Sequence, residues 1–225
     1  MDTQPPFTAV ALAGGRAARL GGQAKPQLLV GGRPILAAVL GAVAAAERRV
    51  VVGPPQPVPP DVLLVREQPP GGGPVAAIRA GLAEVGTDVV VVVAGDLPFL
   101  TAAVVDGLLA RLTGDGVMAV DDTGRDQYLL GAWRTEALRT AVATARGPMP
   151  LRRVLAPIAA HRWRPDVAPG DPPPWLDCDT PADLARARAM ADGHLAPPPL
   201  PPVPAPAPVR APSLLPRFQE PTNPA

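Results

Sequence analysis

The residues of this chain best suited to chemistry lie in a glycine-rich, basic segment near the N-terminus. The segment runs Leu12-Ala-Gly-Gly-Arg-Ala-Ala-Arg-Leu-Gly-Gly-Gln-Ala-Lys25. Gly14 and Gly15 have no Cβ, so the backbone there can approach a ligand closely. Three cations bring positive charge to the same segment: Arg16, Arg19 and Lys25. Backbone N–H groups backed by cations bind phosphate oxygens, so the segment predicts a polyphosphate site.

The spacing of this segment excludes two common phosphate-binding motifs. The Gly-x-Gly-x-x-Gly pattern of dinucleotide-binding folds is absent, and no Gly-Lys-Ser/Thr follows to complete a P-loop. A second glycine-rich loop, Gly71-Gly-Gly-Pro74, lies between a predicted strand and a predicted helix. Backbone contact with a base or ribose and a simple flexible turn both account for this second loop.

Asp96 is the strongest candidate for a metal ligand. It follows the most hydrophobic run of the chain, Val89 to Ala94, where a buried strand opens to solvent. A carboxylate at such a strand end can hold Mg²⁺, which shares its oxygen ligands with substrate phosphates. Capping of the next helix is assigned instead to Thr101. Asp177 and Asp179 precede the last helix, where metal binding and helix capping are both open to them.

Strand and helix patterns alternate along the chain and predict an α/β fold. Strands are predicted at residues 7–13, 49–52, 62–65, 88–94, 117–121, 127–133 and 161–164. Helices are predicted at residues 34–47, 75–84, 101–111, 135–145 and 151–155, with a last one that begins after Thr180. Such alternation indicates a doubly wound, parallel sheet that binds ligands at the carboxyl ends of its strands.

Composition bounds the class of protein. The chain has 225 residues, enough for one sizeable core, and a formal net charge of +1, which predicts no nucleic-acid or membrane surface. A lone cysteine, Cys178, excludes an internal disulfide, and two histidines (His161 and His194) do not make a histidine-rich metal site. With no basic and apolar leader at the N-terminus, we expect a cytoplasmic protein, and we expect it to be a monomer.

Proline dominates the C-terminal segment. From Ala196 the sequence continues Pro-Pro-Pro-Leu-Pro-Pro-Val-Pro, which excludes a helix or a central strand and favours polyproline II. We therefore predict a folded domain over residues 1–192 and a disordered tail over residues 193–225. Binding to a partner that recognises proline-rich peptides and an uncommitted tail are both compatible with this composition.

Taken together, these residues resemble the molybdenum cofactor guanylyltransferase family, within the MobA-like, sugar-nucleotide-type NTP transferase superfamily. The resemblance extends over residues 7–190 and is carried by Leu12-Ala-Gly-Gly15, Arg19, Gly21-Gly22, Lys25, Gly73-Pro74, Asp96-Leu-Pro98 and Asp179-Thr-Pro181 with Asp183-Leu184. It implies a Rossmann-like, three-layer α/β/α nucleotidyltransferase fold, of the nucleotide-diphospho-sugar transferase type, with a mostly parallel sheet.

The resemblance also implies an enzyme that transfers GMP from GTP to molybdopterin and releases pyrophosphate, with Mg²⁺ as cofactor. Catalysis would rest on Lys25, Asp96 and Arg19. Asp96 would hold the metal, with Asp179 as a candidate second ligand. Nucleotide contacts would come from Leu12, Ala13, Gly14, Gly15, Lys25, Gly53, Gln68, Gly73 and Asp96.

Three positions depart from the family pattern and leave the base open. Ala24 stands where an aspartate usually precedes the lysine. Gly53 stands where an asparagine follows the second strand, and Gln68, beside Glu67, where an acidic residue follows the third. The alternatives are therefore a cytidylyltransferase acting on molybdopterin, a guanylyltransferase acting on another phosphorylated small molecule, or a non-catalytic nucleotide-binding adaptor.

Overall fold

Seven strands form one sheet in a computed structural model that describes residues 4–14, 25–145 and 149–193. Along the chain the strands are β1 (Phe7–Leu12), β2 (Leu29–Val30), β3 (Arg33–Pro34), β4 (Arg48–Val52), β5 (Val62–Val65), β6 (Val89–Ala94), β7 (Gly116–Val120), β8 (Asp126–Arg134) and β9 (Ala160–Trp163). The large sheet has the order β5-β4-β1-β6-β8-β7-β9, and β2 pairs with β3 in a separate hairpin.

The large sheet is mostly parallel, as predicted. Strands β5, β4, β1 and β6 pair in parallel, and so do β7 and β9. Only β8 runs in the opposite direction, antiparallel to both of its neighbours. The short connection at residues 121–125 joins β7 to β8, and a connection of that length can link only antiparallel neighbours.

Helices cover both faces of the sheet and make three layers. They are α1 (Ile35–Ala42), α2 (Gly73–Leu82), α3 (Ala102–Ala110), α4 (Thr135–Thr144), α5 (Leu151–Leu155) and α6 (Pro181–Ala191). Alternate residues of β6 point to opposite faces: Val91 packs beneath α1 and α3, and Val92 packs beneath α2, α4 and α5. The predicted α/β class and layer arrangement are thus confirmed.

Among the described residues, no helix combines the length and apolar character needed to cross a membrane.

A third, smaller apolar cluster joins the β2–β3 hairpin to α6. Leu28 and Val30 from the hairpin region pack with Cys178, Leu184 and Ala187. The predicted cap of α6 is confirmed, since the Thr180 hydroxyl accepts from the Asp183 N–H while the Asp183 carboxylate accepts from the Thr180 N–H. Sequence reasoning missed the hairpin because two-residue strands carry no periodic signal, and it placed the end of α1 at residue 47 rather than at Ala42.

The turn between β7 and β8 is organised by one carboxylate. Asp121 Oδ1 accepts hydrogen bonds from the backbone N–H of Thr123 and of Arg125 and from the Thr123 hydroxyl, and Oδ2 accepts from the Gln127 amide. Burial by itself raises the pKa of Asp121, but these hydrogen bonds outweigh it and hold the pKa below the usual 3.8. The ionised carboxylate therefore stabilises the fold.

Asp121→Ala should lower the free energy of unfolding at pH 7 by about 1–3 kcal/mol, because several donors lose their acceptor. A depressed folded-state pKa contributes stability above the unfolded value of 3.8, and this contribution disappears as the pH falls through the folded value. Urea titrations at pH 7 and pH 3 should therefore show a smaller difference between variant and wild type at pH 3. Asp122→Ala, which removes a neighbouring carboxylate, is the matched control, and an equal loss there would contradict the assignment.

Candidate active site

The carboxyl ends of β1, β4 and β6 meet at one edge of the sheet, and glycines allow their close approach. The Ala13 N–H donates to Val52 O at 2.8 Å, and the Gly95 N–H donates to Leu12 O at 2.8 Å. A Cβ on Gly53 would lie 2.7 Å from Ala13 O, and one on Gly95 would lie 2.9 Å from Leu12 O. Side chains are therefore excluded at both positions, and the end of β1 stays open to a ligand.

A cavity of about 510 Å³ lies at this edge. Its lining includes Leu12, Gly14, Arg66, Glu67, Gly73 and Asp96. Gly71 and Gly73, in the loop before α2, have φ angles of +77° and +82°, which L side chains rarely adopt. Both predicted glycine-rich loops therefore contribute backbone to the same cavity, in the size range of small-molecule sites.

Lys25 links two carboxylates that are far apart in sequence. Its Nζ lies 3.8 Å from Asp96 Oδ2 and donates a shorter hydrogen bond to Asp179 Oδ1. The Lys25 side chain is 13% exposed and that of Asp96 24%, whereas that of Asp179 is 57% exposed. A short 3₁₀ turn at Lys25–Gln27 and the start of α6 bring these side chains to the end of β6.

The electrostatics of this cluster are unfavourable to Asp96 in its charged form. Burial raises the pKa of Asp96 to about 6, against the opposing charge of Lys25 and with a further increase from Asp177 and Asp179. Burial also raises the pKa of Cys178 to about 12, so this thiol stays protonated and is no nucleophile. A buried carboxylate with a displaced pKa in a cleft is typical of a functional site.

The donor set fits a hard divalent cation. Asp96 and Asp179 offer carboxylate oxygens, and cation binding would relieve the repulsion that raises the pKa of Asp96. In the described parts of the chain, no three His, Cys, Asp or Glu side chains form a cage for a metal. Mg²⁺ is commonly bound by only one or two carboxylates together with substrate phosphates, so the residues present fit it.

The structure brings some of the predicted site residues together and separates others. Leu12, Ala13, Gly14, Lys25, Gly73, Asp96 and Asp179 lie around the end of β1 and its cavity. Gly53 borders Ala13 but has no side chain to reach a ligand. The predicted residues Gly15 and Arg19, together with Arg16, Gly21, Gly22 and residues 194–225, lie outside the described ranges.

Glu67 lines this cavity, whereas Gln68 does not. Gln68 lines a neighbouring cavity of about 630 Å³, on the other side of the loop before α2. One oxygen of the Glu67 carboxylate accepts a hydrogen bond from the Gly71 N–H at 2.9 Å. The sequence predicts the end of β5 correctly at Val65, but a sequence pattern does not show which of the residues after it, Glu67 or Gln68, turns toward this cavity.

A third cavity, of about 720 Å³, adjoins the acidic cluster from the other side. It lies between the β7–β8 turn, the segment at residues 164–177 and the start of α6. Asp177, whose charge raises the pKa of Asp96, is part of its wall. The acidic cluster therefore separates two cavities, of which one contains the glycine-rich loops.

A comparison with protein families finds a match over most of the chain. Residues 9–164 match the family described as MobA-like NTP transferase domain. A comparison with curated proteins finds no match.

Solved structures share the fold at low sequence identity. A homologue of Mycobacterium tuberculosis Rv0371c from Mycobacterium sp. strain JC1 is 22% identical, over 83% of this chain and 96% of that one, with a TM-score of 0.67. Molybdopterin-guanine dinucleotide biosynthesis protein A from Archaeoglobus fulgidus is 18% identical over 82% and 98% of the two chains, with a TM-score of 0.64. The 2-C-methyl-D-erythritol 4-phosphate cytidylyltransferase from Thermus thermophilus is 20% identical over 81% and 98%, with a TM-score of 0.59. These likenesses confirm the predicted nucleotidyltransferase fold.

Asp96→Asn should raise the stability of the metal-free protein at pH 7.5, because it removes a desolvated charge. The pKa of Asp96 is raised from 3.8 to about 6 in the folded state, so ionisation of this group destabilises the fold. The loss of stability increases from pH 3.8 to pH 6 and is constant above pH 6. After allowance for solvent screening the gain is about 1–2 kcal/mol. Urea unfolding in EDTA should show a gain that shrinks as the pH is lowered from 6 toward 4. An equal change at all pH values would indicate a packing effect instead.

Proposed function

This chain belongs to the MobA-like NTP transferase domain family and is a nucleotidyltransferase; from that premise we propose that it transfers GMP from GTP to the terminal phosphate of a molybdopterin-type acceptor and releases pyrophosphate. The observation that carries the proposal is the cavity at the end of β1, which Gly14, Gly73 and the partly buried Asp96 line and beside which Lys25 pairs with Asp96. The likeness to the Archaeoglobus fulgidus protein supports the acceptor.

The backbone at residues 12–14 is the proposed cradle for the nucleotide. Leu12 and Gly14 line the cavity, and no side chain at Gly53 or Gly95 obstructs the approach to Ala13. Backbone N–H groups at the end of a strand can donate to phosphate oxygens without moving. Gly15 and Arg19 stay predicted contacts of the nucleotide from the sequence alone.

Lys25 is the proposed counter-charge for the triphosphate. In the described structure its ammonium is held by Asp96 and Asp179, so it is oriented before the nucleotide arrives. An oriented ammonium can stabilise negative charge that builds up on the α-phosphate and on the departing pyrophosphate. Asp96, with Asp179 as second candidate, would hold Mg²⁺, which when bound supplies Lewis-acid stabilisation of phosphate oxygens.

Glu67 supports guanine as the base. A carboxylate only accepts hydrogen bonds, and guanine presents two neighbouring donors, N1–H and the N2 amino group. One Glu67 oxygen is engaged by the Gly71 N–H, and carboxylate oxygens can accept more than one bond. The cytosine edge pairs one donor with an acceptor at N3, which would face the carboxylate unfavourably.

A cytidylyltransferase is the second candidate. It is favoured by the likeness to the Thermus thermophilus cytidylyltransferase and by Gly53 and Gln68, which depart from the guanylyltransferase pattern. The acceptor would then be molybdopterin or another phosphorylated small molecule. Nucleotide preference separates the two candidates.

Thermal unfolding with each of GTP, CTP, ATP and UTP, with and without Mg²⁺, tests the nucleotide. A ligand that binds only the folded state raises its stability by mass action, so GTP with Mg²⁺ should give the largest shift. Turnover with molybdopterin should release pyrophosphate, and Asp96→Asn should abolish this release while remaining folded. A preference for CTP would establish the second candidate, and full turnover by Asp96→Asn would contradict the role of Asp96.

Glu67→Gln should weaken GTP binding by about 1–3 kcal/mol, because an amide presents a donor where guanine requires an acceptor. The binding of CTP should change by less than about threefold by the same argument. Gln68→Ala is the matched control, since Gln68 lines the neighbouring cavity. Isothermal titration of each variant gives the affinities, and a larger loss in the Gln68 variant would reverse the assignment.

A further inference from the structure

The third cavity has no role in nucleotide binding as proposed above, and its size and lining are those of a ligand site. Its volume of about 720 Å³ matches that of small-molecule sites. Three arginines line it: Arg125 in the β7–β8 turn, Arg164 after β9 and Arg186 on α6. Trp175 and several prolines add apolar surface to the same wall. The lining thus combines guanidinium groups with apolar area.

Two of the three arginines have their hydrogen-bonding capacity available. Within the described residues the guanidinium groups of Arg125 and Arg186 donate to no other side chain or carbonyl, whereas Arg164 Nη2 donates to Asp122 O at 3.3 Å. Planar guanidinium groups match the geometry of phosphate and bind it through paired hydrogen bonds. An anionic group that enters this cavity would therefore find unoccupied donors.

Carboxylates also line the cavity, and they define the rest of the ligand. The oxygens of Asp121 are occupied by donors of its own turn, and Asp183 caps the start of α6. Four further carboxylates remain as acceptors along the wall: Asp122, Asp166, Asp171 and Asp177. A matching ligand therefore carries N–H or O–H donors in addition to its anionic group.

Arg125 shares the wall of this cavity with Asp177. Asp177 lies two residues before Asp179, whose carboxylate pairs with Lys25. Lys25 Nζ in turn lies 3.8 Å from Asp96 Oδ2, in the lining of the nucleotide cavity. The two cavities therefore adjoin through Asp177, Asp179, Lys25 and Asp96.

We infer that the third cavity is the acceptor site and that Arg125 binds the acceptor's phosphate, the acceptor being a phosphomonoester on a body that carries N–H or O–H donors. The inference rests on the proposed nucleotidyl transfer. The Asp121 carboxylate accepts a hydrogen bond from the backbone N–H of Arg125 at 2.9 Å. This bond holds the turn that carries the Arg125 side chain.

The reaction then balances without a further reactant. An oxygen of the dianionic acceptor phosphate, which carries no proton, attacks the α-phosphorus of the nucleotide. The bond between the α-phosphorus and the bridging oxygen breaks, and pyrophosphate leaves with that electron pair. The product joins the nucleoside to the acceptor through two phosphates. A dinucleotide with the same two-phosphate link can therefore serve as a probe that occupies both cavities.

Binding of diguanosine pyrophosphate (two guanosines joined 5′ to 5′ through two phosphates) is compared with binding of GMP by isothermal titration on the full chain. Wild type should bind the dinucleotide more tightly than GMP. Arg125→Ala should weaken dinucleotide binding by about tenfold to a hundredfold, the range for a hydrogen-bonded charge, and change GMP binding by less than about twofold. Arg153→Ala, an exposed arginine on α5 outside the cavity, is the matched control and should change neither.

Three results would overturn the inference: equal affinity of wild type for the dinucleotide and GMP, unchanged dinucleotide binding in Arg125→Ala, or an equal loss for both ligands in that variant. Arg125→Lys should retain only part of the affinity, because an ammonium cannot make the paired contact. The same comparison with CMP and dicytidine pyrophosphate separates the base from the acceptor site. Failure of all these nucleotides to bind would count against the proposed function itself.

Discussion

Lys25 lies between two carboxylates from opposite ends of the chain, and the arrangement of this site depends on that contact. Asp96 reaches it because β6 pairs in register beside β1, and Asp179 reaches it because α6 packs on the β2–β3 hairpin. The cluster is costly, since the pKa of Asp96 stands at about 6 even with a lysine beside it. The apolar cores on both faces of the sheet must offset this cost, as is usual where a site and its stability conflict.

A second constraint is the crowding of backbone at the end of β1. Gly53 and Gly95 flank Ala13 so closely that neither could carry a side chain without moving the strand ends. The same glycines that open the cavity therefore remove a side chain from the wall beside β4. Any side-chain recognition of a base must come from another wall, and Glu67, fixed by the Gly71 N–H, is available there. In this chain, base recognition and close strand packing are thus linked through Gly53.

The sequence predicted those parts of the fold that rest on local patterns. The valine run of β6, the Thr180 cap and the hairpin around residues 121–125 all appear where expected, because burial and capping are decided by near neighbours. The pairing of Lys25 with Asp179 was not predicted, since it joins residues 154 positions apart. The position of Glu67 in the lining of the nucleotide cavity was not predicted for a different reason: β5 ends where expected, but a sequence pattern does not fix how side chains turn in the loop after it.

The position of the acidic cluster between two cavities follows from the topology of the sheet. Parallel strands β1 and β6 place their carboxyl ends toward the nucleotide cavity, whereas the reversal at β8 returns the chain and sets the 121–125 turn beside the other cavity. A sheet parallel throughout would have no hairpin turn at this edge. The single antiparallel strand therefore does more than complete the sheet, because the turn before it places Asp121 and Arg125 in the wall of the third cavity, which Asp177 also lines. Changes in that turn should thus affect stability and acceptor binding together, while leaving the nucleotide cavity intact.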